Sequence, residues 1–459
     1  MRRQALIVGG GIGGLCAAIS LRLTGWDVQV FEQASQITEI GAGLQVSPNG
    51  VKILERIGVM ERLNSALFEP EAIEIRMGIS GRPILYLPMK GAAAQRWGAP
   101  YIQVHRADLI TALLARLEAL QRGAVQTGCA VRGYAPCKDG AEVILTNGQR
   151  IQADLVIGAD GIHSKIRHQM HGPDAPRFTG NYAWRALVPK VQLDALAPPP
   201  SGCIWAGPKK HAVTTYVRGG DVVNFVGIVE QTIWREESWS RTGDRQETLA
   251  DFDGWAPPIT AILEQAEVLH KWAIFDRAPL PQWHDGHVVL IGDAAHPMLP
   301  SMAQGAVQSL EDGYHLARTL GAAEGANIPA ACARHYAQRI ARTSKVQRVS
   351  AENLQLFHKS SRAAQMMSYA PIWLAGQLTP SLVHRRNDWL YGAAIPPLNI
   401  LAEKYRSASR NGYCANLVTS AMHPSSHNAA HRPLGAEFAP RPGPPHPLLS
   451  TRAGARLDA

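Results

Sequence analysis

Gly9, Gly11 and Gly14 stand at G-x-G-x-x-G spacing, doubled by Gly10 and Gly13, directly after the apolar run Ala5-Leu6-Ile7-Val8. This is a phosphate-handling pattern. The first glycine permits a tight turn, the second lets backbone approach a pyrophosphate, and the third lets the following helix pack closely on the strand. That helix, running to Leu23, turns its free N–H groups and positive dipole end toward the phosphates. Glu32 ends the next strand-like stretch, Trp26 to Phe31, where an acid binds a ribose hydroxyl. The constellation binds a dinucleotide, and alone it does not distinguish NAD from FAD.

Other residues have chemistry of the same kind. The apolar stretch Ala153 to Ile157 runs into Gly158-Ala159-Asp160-Gly161 and a helix start at Ile162-His163-Ser164-Lys165, a second phosphate-and-ribose turn. Val288 to Ile291 ends in Gly292-Asp293, and open α/β sheets bind ligands at such C-terminal strand edges. Gln304-Gly305-Ala306 opens a helix whose N–H groups aim back at the same place. Arg106, where a strand becomes a helix, suits a phosphate clamp. Gly41-Ala42-Gly43 is small enough to let backbone lie on a flat cofactor. No metal site is expected. The six cysteines, Cys16, Cys129, Cys137, Cys203, Cys332 and Cys414, are scattered without C-x-x-C spacing. His423, His427 and His431 have helical spacing, but Pro424 interrupts them and no other ligand type joins them.

These residues need elements to hold them. A buried parallel strand is predicted over Ala5–Val8, a strand over Ala153–Ile157 and a further buried strand over Val288–Ile291. Pro48 starts a helix to Arg56, and Leu109, Leu113, Leu114 and Leu117 line one face of another. Ala34 to Asn49 reads as loop, and Ala72–Arg76, Ile84–Leu87 and Tyr101–His105 as strands. Ala141 to Gln152 is a hairpin turning at Asn147-Gly148. Ala183–Val188, Ala212–Val217 and Val222–Val229 form an antiparallel sheet, hence a second domain inserted into the first. Helices follow at Arg245–Phe252, at Ile259–Ala266 and from Ile328 to near Ala364. Residues 423–459 are Pro-rich, unpatterned and expected to be disordered.

At 459 residues the chain has room for two domains. Its formal charge of +9 is spread without a block of like charges, so no nucleic-acid partner is expected. A mild positive field suits anionic small substrates and pyridine nucleotides. Scattered cysteines fit a reducing cytoplasm. No apolar run has membrane-spanning length.

With these motifs in this order, the chain resembles the single-component FAD-dependent aromatic hydroxylases, and within them the salicylate hydroxylase group. Supporting segments are Gly41–Asn49, His105–Leu109, Trp184–Pro189, Ala303–Ala306 and Asn387–Gly392. The resemblance covers about residues 3–395. It implies an α/β fold: a Rossmann-like FAD-binding domain with an inserted, mainly antiparallel β-sheet substrate domain and C-terminal helices. The FAD domain would comprise 1–70, 100–175 and 280–400, and the substrate domain 71–99 and 176–279. It implies non-covalent FAD, NADH or NADPH as a transient reductant, O₂ as co-substrate, and a monomer or homodimer. The reaction would hydroxylate a phenolic aromatic acid such as salicylate through a flavin C4a-hydroperoxide.

Residue by residue, the resemblance puts Glu32 on the adenosine ribose, Arg106 on the FAD phosphates and Asp293 on the ribityl or pyrophosphate. Gly305-Ala306 would face the flavin pyrimidine edge, Gly43 would be among the cofactor-binding residues, and Asp160 would bridge cofactor and NAD(P)H handling. His211 matches the catalytic base, with Gln45, Thr215, Tyr216, Pro300 and Met302 lining the substrate pocket. The chain departs from hydroxynicotinate-hydroxylating relatives, which carry His at the positions of Gln45 and Ser301 and Tyr at Thr215. It departs from hydroxybenzoate 6-hydroxylases at Pro300, where they carry Gln. Alternatives are those two activities, a flavin epoxidase or other oxidoreductase, and a non-catalytic flavin-fold binding protein.

Overall fold

The computed structural model describes residues 3–37, 42–231, 243–321 and 327–398. Gly41, Cys414 and the Pro-rich stretch with its three histidines lie outside the described residues. The first sheet has six strands: β1 (Gln4–Val8), β2 (Asp27–Phe31), β7 (Val125–Gln126), β11 (Leu155–Gly158), β17 (His284–Asp285) and β18 (Val288–Leu290). Their spatial order is β17-β18-β11-β1-β2-β7, all parallel except the β17–β18 pair. Ala5 and Ile7 of β1 face one core cluster while Leu6 and Val8 face another. Both faces are covered, which is why the strand reads as unbroken apolar sequence. Leu6, Ile7 and Val8 each contribute about 1.5–3 kcal/mol by burial.

On the first face lie α1 (Ile12–Leu23), α2 (Pro48–Arg56), α4 (Arg106–Leu120) and α8 (Gly305–Gly321). On the other lie α5 (Lys165–His171) and a small antiparallel sheet of β8 (Val131–Cys137), β9 (Gly140–Leu145) and β10 (Arg150–Ala153).

The second large sheet uses β4 (Ala72–Met77), β5 (Pro83–Pro88), β12 (Arg177–Pro189), β13 (Gly202–Gly207), β14 (Lys210–Val217), β15 (Val222–Glu230) and β16 (His270–Asp276). Its order is β16-β12-β15-β14-β13-β4-β5, antiparallel except where β13 lies parallel to β4. Helices α6 (Arg245–Asp251) and α7 (Pro257–Gln265) cover one face through Phe252, Trp255, Ile259 and Ile262. Pro257 and Pro258 open α7 two residues before the expected start at Ile259, since proline fits a first helical turn.

The expected 34–49 loop is partly strand. β3 (Gly43–Val46) pairs antiparallel with β6 (Ile102–His105), setting Gly43 opposite His105. Four residues without strong alternation gave no strand signal. The C-terminal helix also divides, into α9 (Ile328–Phe357) and α10 (Arg362–Leu378), followed by α11 (Pro380–Arg385) and α12 (Asp388–Tyr391), while α3 (Ala92–Trp97) precedes β6.

Two features fix the helices against the first sheet. A Cβ at Gly313 of α8 would lie 2.7 Å from the Ala17 backbone nitrogen, so α1 and α8 touch backbone to backbone. Beside this contact, Glu311 and Asp312 of α8 are buried against Arg339 and Arg342 of α9 and His296. We expect Gly313→Ala to force the two helices apart and destabilise the fold by about 1–3 kcal/mol. Denaturant unfolding of variant and parent measures this; equal midpoints would show that the helices separate at no cost.

Candidate active site

One cavity of ≈ 1030 Å³ runs from the glycine turn after β1 to the face of the seven-stranded sheet opposite α6 and α7. At the glycine end the backbone is crowded by design of sequence. Gly9 has φ 107°, and a Cβ there would meet the Ala159 carbonyl oxygen at 2.3 Å. A Cβ on Gly14 would meet the Gly9 carbonyl oxygen at 2.1 Å, whereas beside Gly11 lies open space. Gly9 and Gly11 border the cavity, and Gly14 serves the packing of α1 behind it. Gly11 caps α1 without a side-chain hydrogen bond, leaving its first N–H groups for a ligand.

Glu32 borders the same end. Its Oε2 accepts from the Gly10 N–H (2.8 Å) and Oε1 from the Ala34 N–H (2.9 Å), which orients the carboxylate and leaves further acceptor capacity. Asp160 borders the cavity too, but its carboxylate turns to α5, accepting from Ser164 Oγ (2.6 Å) and the Lys165 N–H (2.7 Å). Asp293 sits in the turn after β18 and faces the cavity; enclosure raises its carboxyl pKa, against the lowering influence of His296 and Arg106. Arg106 thus lies within electrostatic reach of Asp293, held at the start of α4 by its N–H bond to the Ala42 carbonyl (2.9 Å). Ala303, left-handed at φ 50°, turns the chain into α8, so that Gly305 and Ala306 open the helix at the cavity wall.

The other end is built by alternation along the sheet. His211, Val213 and Thr215 of β14, with Asn224, Val226 and Ile228 of β15, face the cavity. Ala212, Tyr216, Val223 and Phe225 face the core under α6 and α7. Tyr216 is accordingly not a pocket residue. Its hydroxyl donates to the Pro198 carbonyl, its N–H to Gln103 Oε1, and its ring lies 5.2 Å from Phe68. Being next to Thr215 in a strand puts it on the opposite face.

Gln45, Thr215, Pro300 and Met302 do line the cavity. Gln45 Oε1 accepts from the Tyr101 hydroxyl (3.0 Å). Thr215 Oγ1 accepts from Asn224 Nδ2 (3.0 Å), whose Oδ1 accepts from the Gly43 N–H (2.8 Å). This chain of contacts ties β14 and β15 at this end of the cavity to the expected flavin-facing strand. Tyr101 and Asn224 escaped the sequence reading. Asn224 left a signal, a polar residue inside the apolar run of β15 that ends in Glu230.

His211 is buried in the cavity wall, with Nδ1 2.6 Å from His358 Nε2. Burial, and secondarily His358, hold its pKa well below the ordinary histidine value, so the ring is neutral near pH 7.

The sequence matches the FAD binding domain family over residues 2–350. It is 35% identical over 397 residues to the 3-amino-4-hydroxybenzoate 2-monooxygenase of Streptomyces platensis, covering 86% of this chain and 98% of that protein. It is 36% identical over 352 residues to the 6-hydroxynicotinate 3-monooxygenase of Pseudomonas fluorescens, covering 76% and 90%. The fold superposes on a salicylate hydroxylase substrate complex with TM-score 0.71 at 27% identity, covering 86% and 96%.

The chain is an FAD-dependent aromatic hydroxylase. Such an enzyme uses O₂ and a reduced nicotinamide. The residues of this hydroxylase fit FAD: side-chain-free backbone at Gly9 and Gly11, an uncapped helix start, an oriented Glu32, and Asp293 with Arg106 farther along the same cavity. Among its described residues no cluster suits a metal ion, and no helix is long and apolar enough to cross a membrane.

We expect Asp293→Ala to lose most bound FAD, read from the flavin-to-protein absorbance ratio after purification. Full occupancy would move the site elsewhere. No linking cysteine or histidine is evident in the sequence, so acid precipitation should release the flavin into the supernatant, and colour retained on the pellet would contradict non-covalent binding.

Proposed function

We propose that the enzyme hydroxylates a phenolic aromatic acid, with His211 taking the phenol proton. The observation that carries this reading is a buried imidazole in the wall of an otherwise largely apolar slot, its Nδ1 held by His358. Val213, Val226, Ile204, Leu87 and Met298 supply the apolar surface. With Nδ1 engaged by His358, Nε2 is the ring atom left for a substrate hydroxyl. Loss of the phenol proton raises the nucleophilicity of the ring, which an electrophilic oxygen transfer requires. Bound FAD supplies the reducing equivalents and the activated oxygen.

The remaining residues orient and shield. The Thr215 hydroxyl, already accepting from Asn224, has its hydrogen to donate to a substrate oxygen, and the Gln45 amide offers N–H donors. The N-terminus of α8 at Gly305 and Ala306 stabilises negative charge at its edge of the cavity. The apolar walls keep water from the reacting ring.

Salicylate-like hydroxybenzoates lead among substrates. Ser301, which stands where hydroxynicotinate-hydroxylating relatives carry His, turns its hydroxyl to the Ser350 carbonyl of α9. A second reading, 3-amino-4-hydroxybenzoate, is favoured by the near-complete coverage of the Streptomyces relative. Salicylate, 3-hydroxybenzoate, 3-amino-4-hydroxybenzoate and 6-hydroxynicotinate, each scored for stimulated NADH and NADPH oxidation with product identified, separate these readings. No stimulation and no hydroxylated product from any of them would overturn the proposed class.

His211→Ala should slow oxygen transfer by about 10²–10⁴-fold, as loss of a general base does. Flavin reduction should fall much less, because the base acts after it. Rapid mixing of the reduced, substrate-bound enzyme with O₂ measures the step; a parental rate would remove His211 from the chemistry.

A further inference from the structure

His211 does not end at His358. The Nδ1 of His358 lies 2.8 Å from Glu230 Oε1, so three side chains stand in line: His211 at the cavity, His358 behind it, and Glu230 beyond. The two imidazoles are buried, whereas the Glu230 side chain is 42% exposed. The line therefore crosses the wall of the protein from the cavity to water.

We propose that His358 and Glu230 carry the proton taken by His211 out to solvent and return it after oxygen transfer. This rests on His211 as the base.

The tautomers follow from the contacts. An ionised Glu230 accepts from His358 Nδ1–H, which leaves His358 Nε2 as acceptor for His211 Nδ1–H and His211 Nε2 with its lone pair toward substrate. On the outward passage the phenol O–H proton moves to His211 Nε2. The Nδ1 proton of His211 moves to His358 Nε2, and the Nδ1 proton of His358 moves to the Glu230 carboxylate, which loses it to water. One proton has left and each ring has exchanged one N–H for the other. When the oxygenated ring recovers its aromaticity, the product phenolate takes a proton back along the same line, and both rings regain their first tautomers. No electrons are exchanged along the line.

The surrounding structure suits this passage. His358 follows the last residue of α9, where the negative end of the helix dipole eases a passing positive charge. The backbone of Lys209 holds both outer members, donating to the His358 carbonyl (3.3 Å) and accepting from the Glu230 N–H (3.0 Å). Phe357 packs against the His211 ring with centroids 5.3 Å apart. A glutamate that served only to fix a tautomer would have no need of solvent; this one is open to it.

The test uses the FAD-loaded enzyme, 3-hydroxy-4-nitrobenzoate as a chromophoric phenol, and stopped-flow absorbance of its phenolate. Binding is monitored separately by perturbation of the flavin spectrum. His358→Gln should slow phenolate formation by about 10–100-fold, enlarge its solvent deuterium effect, and leave the dissociation constant of the probe within about twofold. Glu230→Gln should slow it as well, since a neutral amide does not take the proton of the buried His358. If His211→Ala abolishes phenolate formation while His358→Gln runs at the parental rate, the relay is wrong and the base stands. If His211→Ala itself runs at the parental rate, the base is wrong and the relay falls with it. Should His358→Gln lose FAD or fail to fold, the surface variant Glu230→Gln decides, and a parental rate there overturns the relay.

Discussion

A buried charge cluster holds the cavity in shape. Asp312 accepts from the Gly292 N–H (2.9 Å), from His296 Nε2 (2.5 Å) and from Arg339 Nε (2.8 Å). Glu311, one residue earlier, accepts from Asn49 Nδ2 (2.7 Å) and binds Arg339 and Arg342. Burial alone would raise both carboxyl pKa values. The guanidinium groups of Arg339 and Arg342, with Asn49, overrule it at Glu311 and hold it down at about 2. His296 and Arg339 hold Asp312 far below the usual range. Removing one partner of such a group typically costs about 3–5 kcal/mol, because a charge is left buried alone. The cluster joins the end of β18, the start of α2, and helices α8 and α9, and these are the elements that carry Asp293, Gly305 and His358. Ser47, Asn49, Gln304 and Gln308 extend it by hydrogen bonds toward the cavity.

The cofactor half was legible in the sequence because its chemistry is local. A strand, a glycine turn, a helix and an acid follow one another within Gln4 to Glu32, and the structure keeps them adjacent. Gly292-Asp293 and Gly305-Ala306 were legible for the same reason, since each sits at the end of a strongly periodic element. The Asp160 turn was legible as a turn, while the direction of its carboxylate, toward α5, depends on Ser164 and Lys165 and could be seen only in three dimensions.

The other end of the cavity, where we propose that substrate binds, was less legible because it is assembled from distant segments. His358 meets Glu230 and His211 across more than a hundred residues of chain, with no motif to announce it. Tyr216 was misplaced although the rule that places it is simple: the resemblance favoured two neighbouring residues together, and a strand sends them to opposite faces. The short β3 was hidden because four residues without alternation carry no strand signal, and its pairing with β6 lies more than fifty residues away in the chain.

The alternation of the seven-stranded sheet has a consequence for how such enzymes diversify. Positions 204, 213, 215 and 226 shape the slot, and their sequence neighbours build the core under α6 and α7. Substitutions that change substrate choice can therefore accumulate on one face with little burden on the scaffold behind it. A lineage could drift among aromatic acids by repainting one wall, and a combinatorial library confined to those positions would explore new substrates without gambling on the fold.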